Sequence, residues 1–129
     1  MFINISNHPS ATWGENQTNA ALKYGEIIDI SFPLIDPMLS TQEVIDLAYQ
    51  YLKKVDLIVS SSKEESVVHV MGEHLFTFHL VTILLNHGYK VMESASYKDS
   101  IMEGDKKISI FHFVQFLSLI HISEPTRLQ

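Results

Sequence analysis

The chain has 129 residues, of which 46% are hydrophobic and 19% charged, and it contains no cysteine. That length fits one domain with its own core, and the lack of thiols excludes a cysteine nucleophile, an iron–sulfur cluster and a cysteine zinc site. Nine Lys and Arg against fifteen Asp and Glu give a net charge of −6, which argues against a groove for long nucleic acid. No apolar run is long enough for a membrane span, so we expect a cytoplasmic domain without membrane partners and without a cofactor.

The first half of the chain predicts two strands and two helices in alternation. The segment Phe2–Ile5 predicts a strand, and Ser10 can cap a following helix that ends at Gly25. Glu26–Phe32 predicts a second strand. Ser40–Glu43 has the S-x-x-E form of a capping box and opens a second helix. The apolar stripe of that helix consists of Val44, Ile45, Leu47, Ala48, Tyr51, Leu52 and Val55.

The second half of the chain predicts a buried strand, a helix and a hairpin. Val67–Met71, VVHVM, is typical of a strand buried in a parallel sheet. Leu75–His87 predicts an apolar helix, and Tyr89–Ser96 predicts the next strand. Lys107–Phe116 predicts the last strand, with Tyr97–Met102 as its hairpin partner.

The resulting order, β-α-β-α-β-α-β-β, defines the expected fold class. Strands separated by helices of this length favour right-handed crossovers and a mainly parallel sheet. We therefore expect a small Rossmann-like three-layer α/β fold with a C-terminal antiparallel hairpin, in a single domain over residues 1–116. One segment stays open, because Leu57–Val59 fits either the end of the second helix or a short strand.

The last residues of the chain differ in character from the rest. Leu117–Gln129 has neither a strand nor a helix period, and it carries the sole arginine, Arg127. Within it, Leu117–Arg127, LSLIHISEPTR, resembles the conceptual translation of a transposase sequencing adapter. The resemblance implies that residues 117–129 are a non-native tail and that the native C-terminal sequence is missing; a natural amphiphilic tail is the alternative.

Two polar clusters follow the first and third predicted strands. In a flavodoxin-like strand order, ligands bind where the order reverses, beyond the carboxyl ends of these two strands. The first cluster consists of Ser6, Asn7, His8 and Ser10, and the second consists of Gly72, Glu73, His74 and Thr77. Short polar side chains and free helix N–H groups can bind a ligand there, and a histidine can transfer a proton near neutral pH. Each cluster also has a purely structural interpretation, as a capped turn or as a carboxylate that stabilises a helix dipole.

Other polar positions carry weaker signals. His69, His74 and His79 are spaced by five residues, so they do not share one helical face and no metal site is predicted. Asp29 lies within an apolar strand, as a buried partner or an edge residue. Trp13 is interpreted as packing rather than as a platform for base stacking.

The placed motifs resemble those of a known class of proteins. A strand with the loop Asn4–Ser10, NISNHPS, together with Val70–Glu73 before a helix, resembles the small CRISPR-associated Rossmann-like proteins, namely the ring-nuclease and CARF-like proteins of type III antiviral defence systems. Further matching positions are Trp13, Gln17, Ala20–Ala21, Tyr24–Gly25, Asp36–Pro37 and Phe113–Phe116. The resemblance implies a homodimer that binds a cyclic oligoadenylate across its dyad.

The same resemblance implies a reaction and roles for the two clusters. Ring nucleases of this kind cleave without metal, by in-line attack of a ribose 2′-hydroxyl on the adjacent phosphate. His8 is then the first candidate for proton transfer and Glu73 the second. The expected ligand-binding residues are Ser6, Asn7, Ser10, Gly72, His74 and Thr77. Two alternatives remain: a nucleotide sensor or sequestering protein without catalysis, and a protein-interaction module with an acidic surface.

Overall fold

A computed structural model describes residues 1–120, which form an α/β fold on a five-stranded sheet. The elements are β1 (Phe2–Ser6), α1 (Glu15–Leu22), β2 (Ile27–Asp29), α2 (Thr41–Ser60), β3 (Val67–Met71), α3 (His74–Asn86), β4 (Lys90–Glu103) and β5 (Lys106–Leu119). A single 3-10 turn at Ser10–Thr12 precedes α1. Most of the segment expected to be a non-native tail, residues 121–129, lies outside the described residues, whereas β5 includes residues 117–119.

The sheet has the strand order β2-β1-β3-β4-β5. The first four strands run parallel, and β5 runs antiparallel to β4. The chain passes from β1 outward to β2 and then returns across β1 to β3, so the order reverses between β1 and β3. This arrangement confirms the expected α/β class, the mainly parallel sheet and the C-terminal hairpin.

The two faces of the sheet bury different groups of side chains. Successive residues of a strand point to opposite faces, so Ile3 and Ile5 contact α2 and α3, whereas Phe2 lies on the side of α1. Helix α2 buries most of its predicted stripe: Val44, Ala48, Tyr51, Leu52 and Val55. Each fully buried side chain of this size contributes roughly 1.5–3 kcal/mol through removal of apolar surface from water.

The capping box predicted at the start of α2 is confirmed. Ser40 Oγ accepts a hydrogen bond from Glu43 N at 3.1 Å, and Glu43 Oε1 accepts one from Ser40 N at 3.0 Å. The open segment Leu57–Val59 belongs to α2, which continues to Ser60. The last turns of the helix therefore leave no separate strand between α2 and β3.

Two boundaries predicted in the first half of the chain are wrong. Ser10 does not cap α1, because its Oγ donates to Asp29 Oδ2 at 2.6 Å; α1 begins later, at Glu15. Strand β2 is only Ile27–Asp29 rather than seven residues. The main chain of Ser31 leaves the sheet, and its carbonyl accepts a hydrogen bond from Tyr51 Oη at 2.7 Å.

The C-terminal hairpin is longer than the sequence pattern predicts. Strands β4 and β5 have 14 residues each and pair from Val91 to the turn at Gly104. Only Lys90–Met92 of β4 pairs with β3, so residues 96–113, here called the hairpin arm, extend beyond the sheet. The arm exposes large apolar side chains, with Phe111 70% exposed. In residues 1–120, no helix is both long and apolar enough to cross a membrane.

Candidate functional site

Hydrogen bonds to its own main chain hold the loop after β1 in place. The carbonyl oxygen of His8 accepts bonds from Asn4 Nδ2 at 3.1 Å, Ser6 Oγ at 3.0 Å and Trp13 Nε1 at 3.0 Å. The amide N–H of His8 donates back to Ser6 Oγ at 3.2 Å. The loop is therefore positioned through the backbone of His8, while the side chains of Asn7 and His8 stay exposed.

A row of three polar side chains crosses the sheet below this loop. Asp29 on β2, Asn4 on β1 and His69 on β3 are register partners on adjacent strands. Asn4 Nδ2 donates to Asp29 Oδ1 at 2.8 Å, and Asn4 Oδ1 lies 2.9 Å from His69 Nδ1. Ser10 completes the row, because its N–H and its hydroxyl both donate to the carboxylate of Asp29. We call Asp29, Asn4 and His69 the polar row.

The hydrogen bonds of the polar row determine the tautomer of His69. The amide nitrogen of Asn4 must face Asp29 and the carbonyl of His8, because both of these groups only accept hydrogen bonds. The amide oxygen of Asn4 therefore faces His69, and a carbonyl-type oxygen accepts only. Nδ1 of His69 consequently carries the proton, and Nε2 is the nitrogen with the free lone pair.

Burial keeps the ring of His69 neutral. Its side chain is 2% exposed and packs against the rings of Phe2, Trp13 and Phe116, with centroid distances of 5.7, 5.8 and 5.2 Å. Desolvation by this burial lowers the pKa of His69 to about 4. Burial on its own would raise the pKa of Asp29, but hydrogen bonds from Ser10 and Asn4 outweigh it and lower that pKa, so the carboxylate is ionised at neutral pH.

Two cavities flank the loop where the strand order reverses, and together they form the crevice. The β2-side cavity, of about 460 Å³, is lined by Ser6, Asn7, Phe32 and Glu73 among others. The α1-side cavity, of about 270 Å³, is lined by Ser6, Asn7, His8, Trp13, Gln17, His69, Met71, Gly72 and Ser94. A third cavity of about 550 Å³, the arm groove, shares lining residues with it, among them Trp13 and Gln17, and is also lined by Phe111 and Phe113 of the hairpin arm.

The crevice brings together part of the predicted site. Ser6 and Asn7 line both of its cavities, and His8 and Gly72 line the α1-side cavity. Glu73 lines the β2-side cavity, so the two predicted catalytic side chains belong to different cavities on either side of the loop. The two groups are therefore not arranged as one acid–base pair on a shared wall.

Besides lining the crevice, Gly72 and Glu73 also stabilise the fold. The ring of Phe32 packs directly on Gly72, so that a Cβ atom there would overlap the ring. The space beside Gly72 is therefore filled by a side chain of the protein. Glu73 is the N-cap of α3, and its Oε1 accepts from Phe76 N at 2.7 Å.

Three predicted ligand-binding residues do not line these cavities. The hydroxyl of Ser10 is engaged by Asp29. His74 is exposed at the first turn of α3, and Thr77 is buried one turn further along, where its hydroxyl has no hydrogen-bond partner among residues 1–120. At the start of α3, His74 therefore faces solvent and Thr77 faces the core, and their role in ligand binding stays a prediction.

The sequence interpretation missed Asn4 and His69 as members of the site. Each is a polar residue between apolar neighbours of its strand, in FINIS and VVHVM, and both are almost fully buried. A buried polar side chain needs a partner, so two such residues on strands that are neighbours in the sheet were a usable signal. The spacing of His69 bears in sequence only on metal binding. Among residues 1–120 no group of three or more acidic or histidine side chains could hold a metal ion.

Fold and crevice together define an α/β protein with a candidate ligand site beyond the carboxyl ends of β1 and β3. The model of the uncharacterized protein MJ1673 family matches residues 1–117, and the chain belongs to that family. No curated protein and no solved structure was found to match the chain.

Proposed function

We propose that this protein binds a cyclic oligoadenylate in the crevice and cleaves it without a metal ion, as a ring nuclease of type III CRISPR defence. The observation that carries the proposal is the polar crevice at the reversal of strand order, where Ser6, Asn7 and His8 meet. Doubly wound sheets bind nucleotides at this position. The fixed backbone of the loop suits such a role, because the main chain that carries Asn7 and His8 is already ordered before a ligand binds, which lowers the entropy cost of binding.

Cleavage by this route needs positioning more than it needs a nucleophile from the protein. The 2′-oxygen of one ribose forms a bond to the adjacent phosphorus, and the bond from phosphorus to the 5′-oxygen breaks. The neutral form of His8 accepts the proton of the attacking hydroxyl, and the departing 5′-oxygen takes a proton from solvent. The products are a linear oligoadenylate with a 2′,3′-cyclic phosphate and a free 5′-hydroxyl.

One observation favours the second candidate function, a sensor that binds a nucleotide and does not cleave it. None of the residues lining the crevice or the arm groove is Lys or Arg. Charge that develops on the phosphate in the transition state would then be met by amides and hydroxyls of the loop, or by a lysine such as Lys98 on the hairpin arm. A site that stabilises the bound and the reacting phosphate equally binds without accelerating cleavage.

We further propose that the protein works as a homodimer in the cytoplasm and that its fold is Rossmann-like with three layers. The exposed apolar side chains of the hairpin arm support the dimer, because a two-stranded arm with Phe111 and Met102 exposed gains stability by burying them against a second copy. The presence of α1 on one face of the sheet and of α2 and α3 on the other supports the three-layer description.

The test is incubation of the protein with cyclic tetra-adenylate and cyclic hexa-adenylate in EDTA, with products separated by chromatography. Wild-type protein is expected to give linear products with cyclic phosphate ends. His8→Ala is expected to lower the rate about 100-fold while binding persists, because the loop is held through the main chain of His8 and not through its ring. Glu73→Gln keeps an oxygen to cap α3 and removes only the charge.

The matched control is His79→Ala, which removes a histidine of α3 outside the three cavities and should leave the rate unchanged. If the ligand binds but stays intact, the sensor becomes the better description of the function than the ring nuclease. If calorimetry detects no binding of either ring, the interaction module with an acidic surface becomes the better description. An undiminished rate in His8→Ala would remove His8 from catalysis.

A further inference from the structure

His69 is the strongest unexplained group in the molecule. It is buried to 2% exposure, and its Nε2 atom has no hydrogen-bond partner among residues 1–120. Buried polar atoms are paired in most proteins, since an unmade bond costs free energy. His69 is one of the residues that line the α1-side cavity, and a ligand that contacts its Nε2 must displace the side chains that shield this atom from solvent.

Both hydrogen bonds and packing fix the orientation of the His69 ring. Asp29 holds the amide of Asn4, and Asn4 holds Nδ1 of His69 across three adjacent strands. Phe2, Trp13 and Phe116 surround the ring and leave it little freedom to flip. When a hydrogen bond holds one ring nitrogen of a histidine, it fixes the orientation of the ring and therefore which nitrogen faces a substrate.

We infer that the polar row presents Nε2 of His69 to the α1-side cavity as a fixed hydrogen-bond acceptor for an O–H or N–H donor of the ligand. The inference rests on the proposed function and extends it to a residue that is not part of that proposal. In a cyclic oligoadenylate the donor is a ribose 2′-hydroxyl or the exocyclic amine of adenine. Because the ring is neutral, His69 binds and positions this donor and does not contribute a positive charge to the phosphate.

The groups that face His69 are consistent with a neutral acceptor. The ring is bounded by three aromatic side chains and by Asn4, and the carboxylate of Asp29 lies beyond Asn4 rather than against the ring. Met71, Ser94 and Gln17 line the same cavity. The hydroxyl of Ser94 donates to Met71 Sδ at 2.7 Å, and no donor among residues 1–120 bonds Nε2, so a donor of the ligand is its expected partner.

The test is a titration of ¹⁵N-labelled protein with cyclic tetra-adenylate, followed through the ring nitrogens of His69. In the free protein, Nδ1 is expected to be protonated and Nε2 bare. Binding is expected to shift the Nε2 resonance toward that of a hydrogen-bonded nitrogen and to leave Nδ1 protonated. The ring of His87, whose Nδ1 bonds the main chain of α3 far from the crevice, serves as the internal control and should not shift.

Two variants separate loss of the acceptor from loss of the fold. His69→Asn keeps a donor near the position of Nδ1 for Asn4 and removes Nε2, and it should weaken binding about tenfold, the loss expected for one hydrogen bond. His69→Gln places its amide near the position of Nε2 and should recover part of that affinity. Two ligand analogues identify the donor. If it is the 2′-hydroxyl, the 2′-deoxy ring, which lacks that group, should bind wild type and His69→Asn with equal affinity. If it is the exocyclic amine, cyclic tetra-inosinate, which lacks the amine, should bind the two proteins with equal affinity.

Each outcome supports or overturns the inference. Binding without a change at Nε2, or a bare Nδ1 in the free protein, overturns the role of His69 and leaves the proposed function standing. Equal affinity of wild type and His69→Asn for cyclic tetra-adenylate has the same meaning. If no adenylate ring binds the wild-type protein, the proposed function fails, and the inference about its ligand fails with it.

Discussion

The two faces of the central sheet are built from the same strands and differ in chemistry. On β1, Ile3 and Ile5 point toward α2 and α3, whereas Asn4 and Ser6 point toward the side of α1. On β3 the same alternation puts Val68 and Val70 on the first face and His69 on the second. On the face covered by α2 and α3, the strand side chains are apolar and stabilise the fold. The α1 face instead buries a polar row below the crevice.

The contrast teaches where to look for function in a small α/β domain of this kind. Apolar packing explains most of the α2 and α3 face. The α1 face carries buried polar atoms, an ionised carboxylate and a loop fixed through its main chain. The predictions below probe the two faces separately, from the largest expected effect to the smallest.

Truncating the apolar face should cost the most stability. Leu80 of α3 is fully buried, so Leu80→Ala is expected to lower the free energy of unfolding by about 2–5 kcal/mol through lost burial and a residual cavity. Chemical denaturation monitored by circular dichroism measures the change. Leu75→Ala on the same helix is the matched control, because Leu75 is 58% exposed, and its cost should stay under about 0.5 kcal/mol. Equal losses at the two positions would contradict the assigned burial.

The α1 face should give the protein a stability that depends on pH. His69 has a native pKa of about 4 against 6.5 for the unfolded chain, so the unfolded state binds the proton more tightly between these values. The free energy of unfolding should therefore fall by up to about 3 kcal/mol as pH drops from 6.5 to 4, and it should be fully restored above 6.5. The lowered pKa of Asp29 acts in a separate window, below its ordinary value of 3.8.

Removal of the imidazole isolates the contribution of His69. The free energies of unfolding of wild type and His69→Asn, measured at several pH values, should approach each other as pH falls from 6.5 to 4. The asparagine variant does not titrate there, so its own stability should vary less with pH. If the free energy of unfolding had the same pH dependence in both proteins, His69 would be protonated equally well in the folded and unfolded states.

Breaking the polar row at its centre should cost less than the apolar truncation. Asn4→Ala leaves the N–H of His69 without an acceptor, while Asp29 keeps its bonds from Ser10. We expect a loss of about 1–3 kcal/mol in the free energy of unfolding, the penalty of one unsatisfied buried group. Thermal unfolding compares it with Asn19→Ala, an exposed position of α1. A neutral effect of Asn4→Ala would argue that the row is not formed.

The smallest effect should come from the cap of α2. Ser40→Ala removes the hydroxyl that accepts from Glu43 N and should destabilise the protein by about 1 kcal/mol. Thr41→Ala, one residue on, changes an exposed position without a cap bond and is the control. Urea denaturation distinguishes the two variants; if they were equally stable, the capping box would contribute nothing measurable.

The sequence predicted those elements whose signals are local. Val67–Met71 forms β3 over the predicted residues, because a continuous apolar run between turn residues is specified by the run itself. The cap of α2 is equally local. Strand β2 ended early because Ser31 exchanges the sheet for a hydrogen bond from Tyr51, twenty residues away, which no local pattern reveals. The hairpin is longer than predicted for a different reason, because the pairing of β4 with β5 continues beyond Met92, where β3 ends its pairing with β4.

The candidate site was predicted in part, and its missing members share one cause. Ser6, Asn7 and His8 follow a parallel strand, and position alone marks them. Asn4 and His69 become partners only when β1 and β3 lie side by side in register, 65 residues apart in the chain. The order of strands in a sheet is a tertiary property. Polar residues among apolar neighbours in a strand indicate that a buried polar contact exists, but they do not show which residues form it.

The most direct test of the account is a map of where a cyclic oligoadenylate binds. Backbone ¹H–¹⁵N spectra of the protein, recorded with rising concentrations of cyclic tetra-adenylate, report on both faces of the sheet at once. The account predicts saturable shifts at Asn7, His8 and Gly72 around the crevice, with Leu57 and Leu85, in the last turns of α2 and α3, unaffected. An unchanged spectrum, or shifts confined to α2 and α3, would contradict it.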